Sequence, residues 1–203
     1  MIVIVDFKLG NIRSIKSKLK KFGIKSIISS KIEDLERAEK IILPGVGHFS
    51  EAMKNLRDLN IIDILNYKVL EKKTPILGIC LGFQLMTKHS DEGDCKGLNW
   101  VDLETKKFIF KKSSLRVPHV GWNTVSHIKE SLLFSEIPDN YRFYFTHSYH
   151  VSGKSDKFPI SITNYGKDFI SAIHYKNIFG TQFHPEKSHY DGSKIISNFL
   201  KYS

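Results

Sequence analysis

One cysteine in this chain stands where a thiol can do chemistry. The segment Pro75-Ile-Leu-Gly-Ile-Cys80-Leu-Gly-Phe-Gln-Leu places Cys80 between an apolar strand and the start of a helix. Gly78 and Gly82 flank it symmetrically. A sharp strand–turn–helix crowds the backbone around its central residue, and glycines relieve the contact; this is the cysteine counterpart of the G-x-S-x-G nucleophile elbow. A thiol at a helix N-terminus also feels the positive end of the dipole, which favours the reactive thiolate. Most free cysteines are small buried core residues, and C-x-G alone leaves the two readings even. The glycine pair, the preceding strand and Gln84 one helical turn later favour the nucleophile.

A thiol nucleophile needs a base, and the base needs an orienting group. Among nine histidines, His184 stands out because Phe179-Gly-Thr-Gln-Phe-His184-Pro-Glu186 closes an apolar stretch with His, Pro and a carboxylate. Residues two apart in an extended backbone point to the same side, which lets Glu186 hold the His184 ring. His147 and His150 read as ordinary polar residues at a strand end, and His119 as core or interface. No cysteine or carboxylate joins them at a zinc-like spacing, so no metal is expected.

The turn Leu43-Pro-Gly-Val-Gly-His-Phe49 offers backbone N–H groups unencumbered by side chains. It lacks the third glycine of a dinucleotide loop and the G-K-[ST] of a P-loop. An oxyanion hole suits it better, with the amide of Leu81, next to the nucleophile, as second donor.

These residues need a scaffold that brings strand ends together. The first half alternates short apolar runs with amphipathic stretches: strands at Ile2–Val5, Ile24–Ile28, Lys40–Leu43 and Ile76–Ile79, helices at Asn11–Phe22, Glu33–Arg37 and Leu81 to about Lys88, and one or two helices over Phe49–Leu70. That β-α-β-α order predicts a mostly parallel central sheet with helices on both faces, and ligands collect at the carboxyl ends of such strands. From Trp100 to His174 the texture becomes strand-rich, with runs at Lys107-Phe-Ile-Phe, Tyr141-Arg-Phe-Tyr-Phe and Ile160-Ser-Ile-Thr, which predicts a β-rich flank folded onto the sheet. A helix over Gly192–Leu200 closes the chain. With no linker, repeat or low-complexity tract, residues 1–203 read as a single α/β domain.

Composition agrees with that reading and excludes other classes. At 203 residues, 41% hydrophobic and 26% charged, the chain can bury a core without disulfides or metal. Two cysteines form no disulfide framework, and no apolar run approaches the roughly 20 residues of a membrane helix. The opening MIVIVDF is too short and too little basic for a signal peptide, so a cytoplasmic protein is expected. The net charge of +10 is spread along the chain without interleaved aromatics, which reads as a lysine-rich surface rather than a nucleic-acid site.

Taken in order, the glycine turn, G-I-C-L-G-F-Q and F-H-P-E resemble the class I glutamine amidotransferases. Within that class the chain resembles the HisH family, the glutaminase subunits of imidazole glycerol phosphate synthases. The resemblance spans nearly the whole chain and rests on Gly10-Asn11-Ile-Arg-Ser, Leu43-Pro-Gly-Val-Gly, Pro118-His-Val-Gly-Trp-Asn123, Phe143-Tyr-Phe-Thr-His-Ser-Tyr149 and Phe179-Gly-Thr-Gln-Phe-His-Pro-Glu-Lys-Ser188. It implies a Cys80–His184–Glu186 triad that hydrolyses glutamine through a γ-glutamyl thioester. It implies an oxyanion hole from Gly45, Val46 and Leu81, and glutamine contacts from Gly47, Gln84, Glu92, Ser148 and Tyr149. It further implies a heterodimer with a HisF-like (β/α)8 cyclase subunit that receives the ammonia, docked through Asn11, Trp122, Tyr144 and Lys187. No cofactor is implied.

The chain also departs from the family pattern. Asp6-Phe-Lys-Leu-Gly10 replaces the more usual D-Y-G-M-G, His48 stands where alanine is commoner, and Gly97-Leu-Asn-Trp100 replaces a G-L-G-L-like segment. These features resemble a paralogous branch that feeds ammonia to sugar amidotransferases in surface-polysaccharide synthesis, the alternative acceptor. From another class, a non-catalytic regulatory or scaffold subunit would tolerate loss of a triad member; here all three are present.

Overall fold

The computed structural model describes residues 1–110, 115–154 and 157–202. Its first half is β1 (Ile2–Val5), α1 (Ile12–Lys21), β2 (Ser26–Ser29), α2 (Ile32–Glu36), β3 (Lys40–Gly45), α3 (Phe49–Asp58), α4 (Ile62–Asn66), a π-turn at Tyr67–Glu71, β4 (Ile76–Cys80) and α5 (Leu81–Leu85). Short strands β5 (His89–Ser90), β6 (Cys95–Lys96) and β7 (Glu104–Lys107) follow. The second half holds β8 (His119–His127), β9 (Tyr141–His147), β10 (Tyr149–Ser152), β11 (Pro159–Asn164), β12 (Asp168–Tyr175), β13 (Ile178–Thr181) and α6 (His189–Lys201).

The centre of the sheet is parallel, in the order β2-β1-β3-β4-β13. Because side chains alternate along a strand, each central strand feeds two cores. Val3, Val5, Ile41, Leu43 and Ile76 pack with α2 to α5, while Ile2, Ile4, Ile42, Leu77 and Ile79 pack with Ile15 and Leu19 of α1 and Ile195, Ile196 and Phe199 of α6. Burial on both faces is why these strands read as unbroken apolar runs.

Three expectations need adjustment. The β-rich flank does more than fold onto the sheet: Val125, Phe143, Phe145 and Ile160 pack into one core with Ile2, Ile4, Leu77 and Ile79, while other flank strands extend the sheet. β13, from the second half, joins the parallel core, and antiparallel pairing runs on through β12, β10 and β7. β11 leads from β12 to the β8–β9 hairpin. Second, the helix after Cys80 stops at Leu85, because the carbonyls of Leu85, Met86 and Thr87 accept N–H groups from Leu98, Trp100 and Asn99 of the following loop. Third, the strand sought at Lys107–Phe110 lies at Glu104–Lys107, and Phe108 leaves it to stack among aromatic side chains. No helix among the described residues is long and apolar enough to cross a membrane.

Candidate active site

Cys80 is the last residue of β4 and the residue before α5, with φ 53° and ψ −106°. A left-handed backbone is costly for a residue with a Cβ and persists where the surroundings over-determine it. Here the close approach of α5 to the sheet does so. A Cβ on Gly82 would fall inside the van der Waals radius of the Leu43 carbonyl oxygen, and one on Gly78 would lie 2.8 Å from the Phe83 nitrogen. The two flanking glycines therefore let the helix turn back onto β3 and β4, and that turn lifts Cys80 out of the strand. α5 is only five residues long, so its dipole offers the thiol less than a full helix would.

Facing it is His184, the residue that follows Phe183 after β13, fully buried at 1% exposure. Its Nδ1 lies 2.8 Å from Glu186 Oε1. A carboxylate only accepts, so Nδ1 carries a proton and Nε2 is left as the working nitrogen. The contact is made through a single 3-10 turn, Pro185–Lys187, and not through the extended backbone expected from the sequence. Nε2 is buried without a partner of hydrogen-bonding geometry among the described residues, and Cys80 is the first of the two groups, with Glu186, whose charges act on the ring. Burial alone lowers the His184 pKa, yet the Cys80 sulfur and the Glu186 carboxylate outweigh it and raise the imidazole to about 10. The arrangement suits an imidazolium beside the Cys80 sulfur, with the cation held by Glu186.

The glycine turn begins where Cys80 ends its strand: Gly45 and Cys80 are register partners across β3 and β4. Val46 is exposed, and Gly10 packs so closely that a Cβ on it would come within 3.0 Å of both Gly45 Cα and the Val46 nitrogen. The variant loop Asp6–Gly10 thus abuts the turn. Leu81, the first residue of α5, is buried beside Cys80.

Between these parts opens a pocket of about 240 Å³ lined by Val46, Gly47, Cys80, Leu81, Gln84, Glu92, Ser148 and Tyr149, with Pro118, Thr146 and His147. All five residues expected to hold glutamine meet there. Gln84 Nε2 donates to the Tyr149 carbonyl at 2.8 Å and to Gln182 Oε1 at 3.1 Å. Glu92 Oε2 accepts the Phe49 N–H at 2.8 Å, so one carboxylate both lines the pocket and caps α3. Sequence reasoning missed Gln182, whose Nε2 lies 3.7 Å from Cys80 Sγ. It also left His147 as an ordinary polar residue. The signal for Gln182 was its place one residue beyond a strand in the segment that ends with His184; nothing local marked His147. Among the described residues no group of three His, Cys, Asp or Glu side chains converges as metal ligands would.

Trp122 and Tyr144 are register partners on the β8–β9 hairpin, with ring centroids 6.2 Å apart. Lys187 Nζ sits 5.5 Å over the Tyr144 ring, and His189 stacks on Trp122 at 4.9 Å. Asn11 is exposed at the start of α1, and α1 packs beside the Pro185–Lys187 turn.

Comparison with known proteins places this geometry. The family model "Glutamine amidotransferase class-I" matches residues 3–202. A Methanococcus maripaludis protein named imidazole glycerol phosphate synthase subunit HisH 2 is 46% identical over 201 residues, covering 99% of each chain. Pseudomonas aeruginosa HisH 2 is 42% identical with the same coverage, and Campylobacter jejuni HisH 1 is 42% identical over 99% of this chain and 100% of its own. Among solved structures, a glutamine amidotransferase superposes with TM-score 0.77 at 19% identity over 99% of this chain and 98% of its own. A second, from Thermotoga maritima, gives 0.64 at 18% identity over 98% and 81%. At such identities the structural matches speak for the fold alone.

Proposed function

The chain belongs to the class-I glutamine amidotransferases, and from that premise we propose that it is the glutaminase subunit of an imidazole glycerol phosphate synthase, acting in histidine biosynthesis in the cytoplasm. The observation that carries the reading is a pocket lined by Cys80, with its left-handed backbone, and by Val46 and Gly47 of the glycine turn, with the buried His184–Glu186 pair acting on Cys80 from behind it.

In this reading Cys80 Sγ attacks the side-chain amide carbon of glutamine. The oxyanion is met by backbone N–H groups of the Gly45–Val46 turn and of Leu81. His184 Nε2 gives its proton to the departing nitrogen, which leaves as ammonia, and a γ-glutamyl thioester remains. His184 then takes a proton from water, the hydroxide opens the thioester, and glutamate leaves with the thiolate restored. Glu186 holds the imidazole throughout. Gln84, Glu92, Ser148 and Tyr149 hold the amino-acid end of the substrate.

The ammonia goes to a partner, a HisF-like (β/α)8 cyclase subunit that uses it to complete imidazole glycerol phosphate and releases an aminoimidazole nucleotide. Trp122, Tyr144, Lys187 and Asn11 form the docking face. Exposure of Val46 leaves the peptide at the oxyanion turn room to reorient when the partner docks, so the free subunit should be nearly silent.

The test is glutamate release from glutamine, alone and with a cyclase barrel plus its nucleotide ligand, beside Cys80→Ala. Strong stimulation that Cys80→Ala abolishes is the expected result. Cys80-dependent activity that the barrel fails to raise would point to a sugar amidotransferase as acceptor, and no glutamate under any condition would leave a scaffold subunit.

A further inference from the structure

His147 and His119 are register partners across β8 and β9, buried at 6% and 3% exposure. His147 Nδ1 lies 2.7 Å from the Tyr149 carbonyl, its Nε2 lies 3.0 Å from His119 Nδ1, and His119 Nε2 lies 3.2 Å from Asn123 Nδ2. Every proton in this row can be assigned. A carbonyl only accepts, so His147 Nδ1 donates; its Nε2 then accepts, which makes His119 Nδ1 a donor and His119 Nε2 an acceptor for the Asn123 amide. The far end is fixed as well, because Asn123 Nδ2 also donates to the Asn164 carbonyl at 2.9 Å and Asn123 Oδ1 accepts the Thr124 N–H at 2.8 Å. The His119 ring is clamped between Phe145 and Tyr165, at 4.8 and 4.0 Å between centroids. Burial lowers both imidazoles, His119 to about 4 and His147 well below the usual range, so both are neutral at physiological pH and the one-way row is intact.

The row ends in the wall of the pocket. Thr146, His147, Ser148 and Tyr149 all line it, the Thr146 carbonyl lies 3.8 Å from Cys80 Sγ, and the Tyr149 carbonyl is shared between His147 and Gln84. Ser148 is the bend where β9 hands over to β10, so sheet pairing is interrupted where the wall must be held. We infer that His147 and His119 are positioning residues for glutamine binding: with Asn123 they form a directional hydrogen-bond row that fixes the Thr146–Tyr149 segment against Cys80. This rests on the glutaminase reading of the pocket.

The test separates hydrogen bonding from packing. His119→Phe keeps the ring stack and loses the N–H; His119→Asn loses the stack but keeps an N–H near the Nδ1 position. With the cyclase partner present, His119→Phe should raise KM for glutamine about tenfold or more while changing kcat much less, the signature of lost ground-state binding. His119→Asn should keep KM near that of the unchanged protein while melting at lower temperature. A higher KM in His119→Asn than in His119→Phe, following the order of melting temperatures, would overturn the inference and leave a packing role.

Asn123→Asp offers a pH signature that packing cannot produce. An aspartate only accepts, so His119 must put its proton on Nε2, and only the imidazolium can still donate to His147. KM of this variant should therefore be near normal at low pH and climb as pH rises through the His119 titration, whereas the unchanged protein shows no such climb. The titratable groups facing the pair are His150 and His184 beside His147, and Tyr165 on His119. A flat KM in Asn123→Asp would count against the row. Absence of Cys80-dependent glutamate release from the unchanged protein would instead sink the glutaminase reading, and the inference with it.

Discussion

Gly45 and Cys80 are direct neighbours across two parallel strands. The turn that would stabilise an oxyanion and the thiol that would create it therefore leave the sheet at the same height, set by backbone pairing and not by side-chain contacts. Parallel strands need long crossovers, which is why two segments so far apart in sequence can share one level of one sheet.

That height depends on α5 lying close against β3. Gly82→Ala would drive a methyl group into the Leu43 carbonyl, backbone against backbone, with no side chain free to yield. We expect a loss of about 3 kcal/mol or more of stability, measured as a lowered denaturant midpoint, with little folded protein at 37 °C. An unchanged midpoint would mean that the helix can shift outward.

The Glu186 carboxylate should matter in a pH-dependent way. Against burial, which lowers it, His184 is raised to about 10 in the folded chain by the Cys80 sulfur first and by Glu186 after it, so Glu186 carries part of the effect. A raised folded-state pKa contributes stability that is complete below about 6.5 and is lost as pH climbs through about 10. The melting-temperature advantage of the unchanged protein over Glu186→Gln should accordingly be largest near pH 6 and shrink toward pH 10. Glutamate release should also fall, on the order of 10²-fold or more, because the amide no longer holds an imidazolium.

Glu92 caps α3 and lines the pocket with one carboxylate. Glu92→Ala should therefore raise KM for glutamine about tenfold and lower stability by about 1 kcal/mol. A change in melting temperature with KM untouched would reduce Glu92 to a cap.

The stacked group Trp122, Tyr144, Lys187 and His189 presents aromatic and cationic surface beside the His184 turn. Trp122→Ala should weaken binding of the cyclase barrel at least tenfold, as loss of a central aromatic anchor does, in a calorimetric titration. Undiminished binding would move the docking face elsewhere.

What the sequence determined by itself was local. Apolar runs of strand length, the glycines around Cys80 and the His-Pro-Glu ending singled out Cys80, His184 and Glu186 as candidates, because each is a demand of backbone geometry or chemistry within a few residues. The four early strands and the long helices were legible for the same reason, since periodicity is a local property. What only the tertiary structure decided was which distant segments meet. β13 joins the parallel core beside β4, which carries His184 to Cys80, and no periodicity reports a strand's neighbour. The length of α5 was set by N–H groups of the Leu98–Trp100 loop that capture the carbonyls of Leu85, Met86 and Thr87, donors absent from its own residues. The His147–His119 row depends on the pairing of β8 with β9 and on protons assigned from both ends, so a histidine that looked ordinary in sequence acquired a direction only in the folded chain.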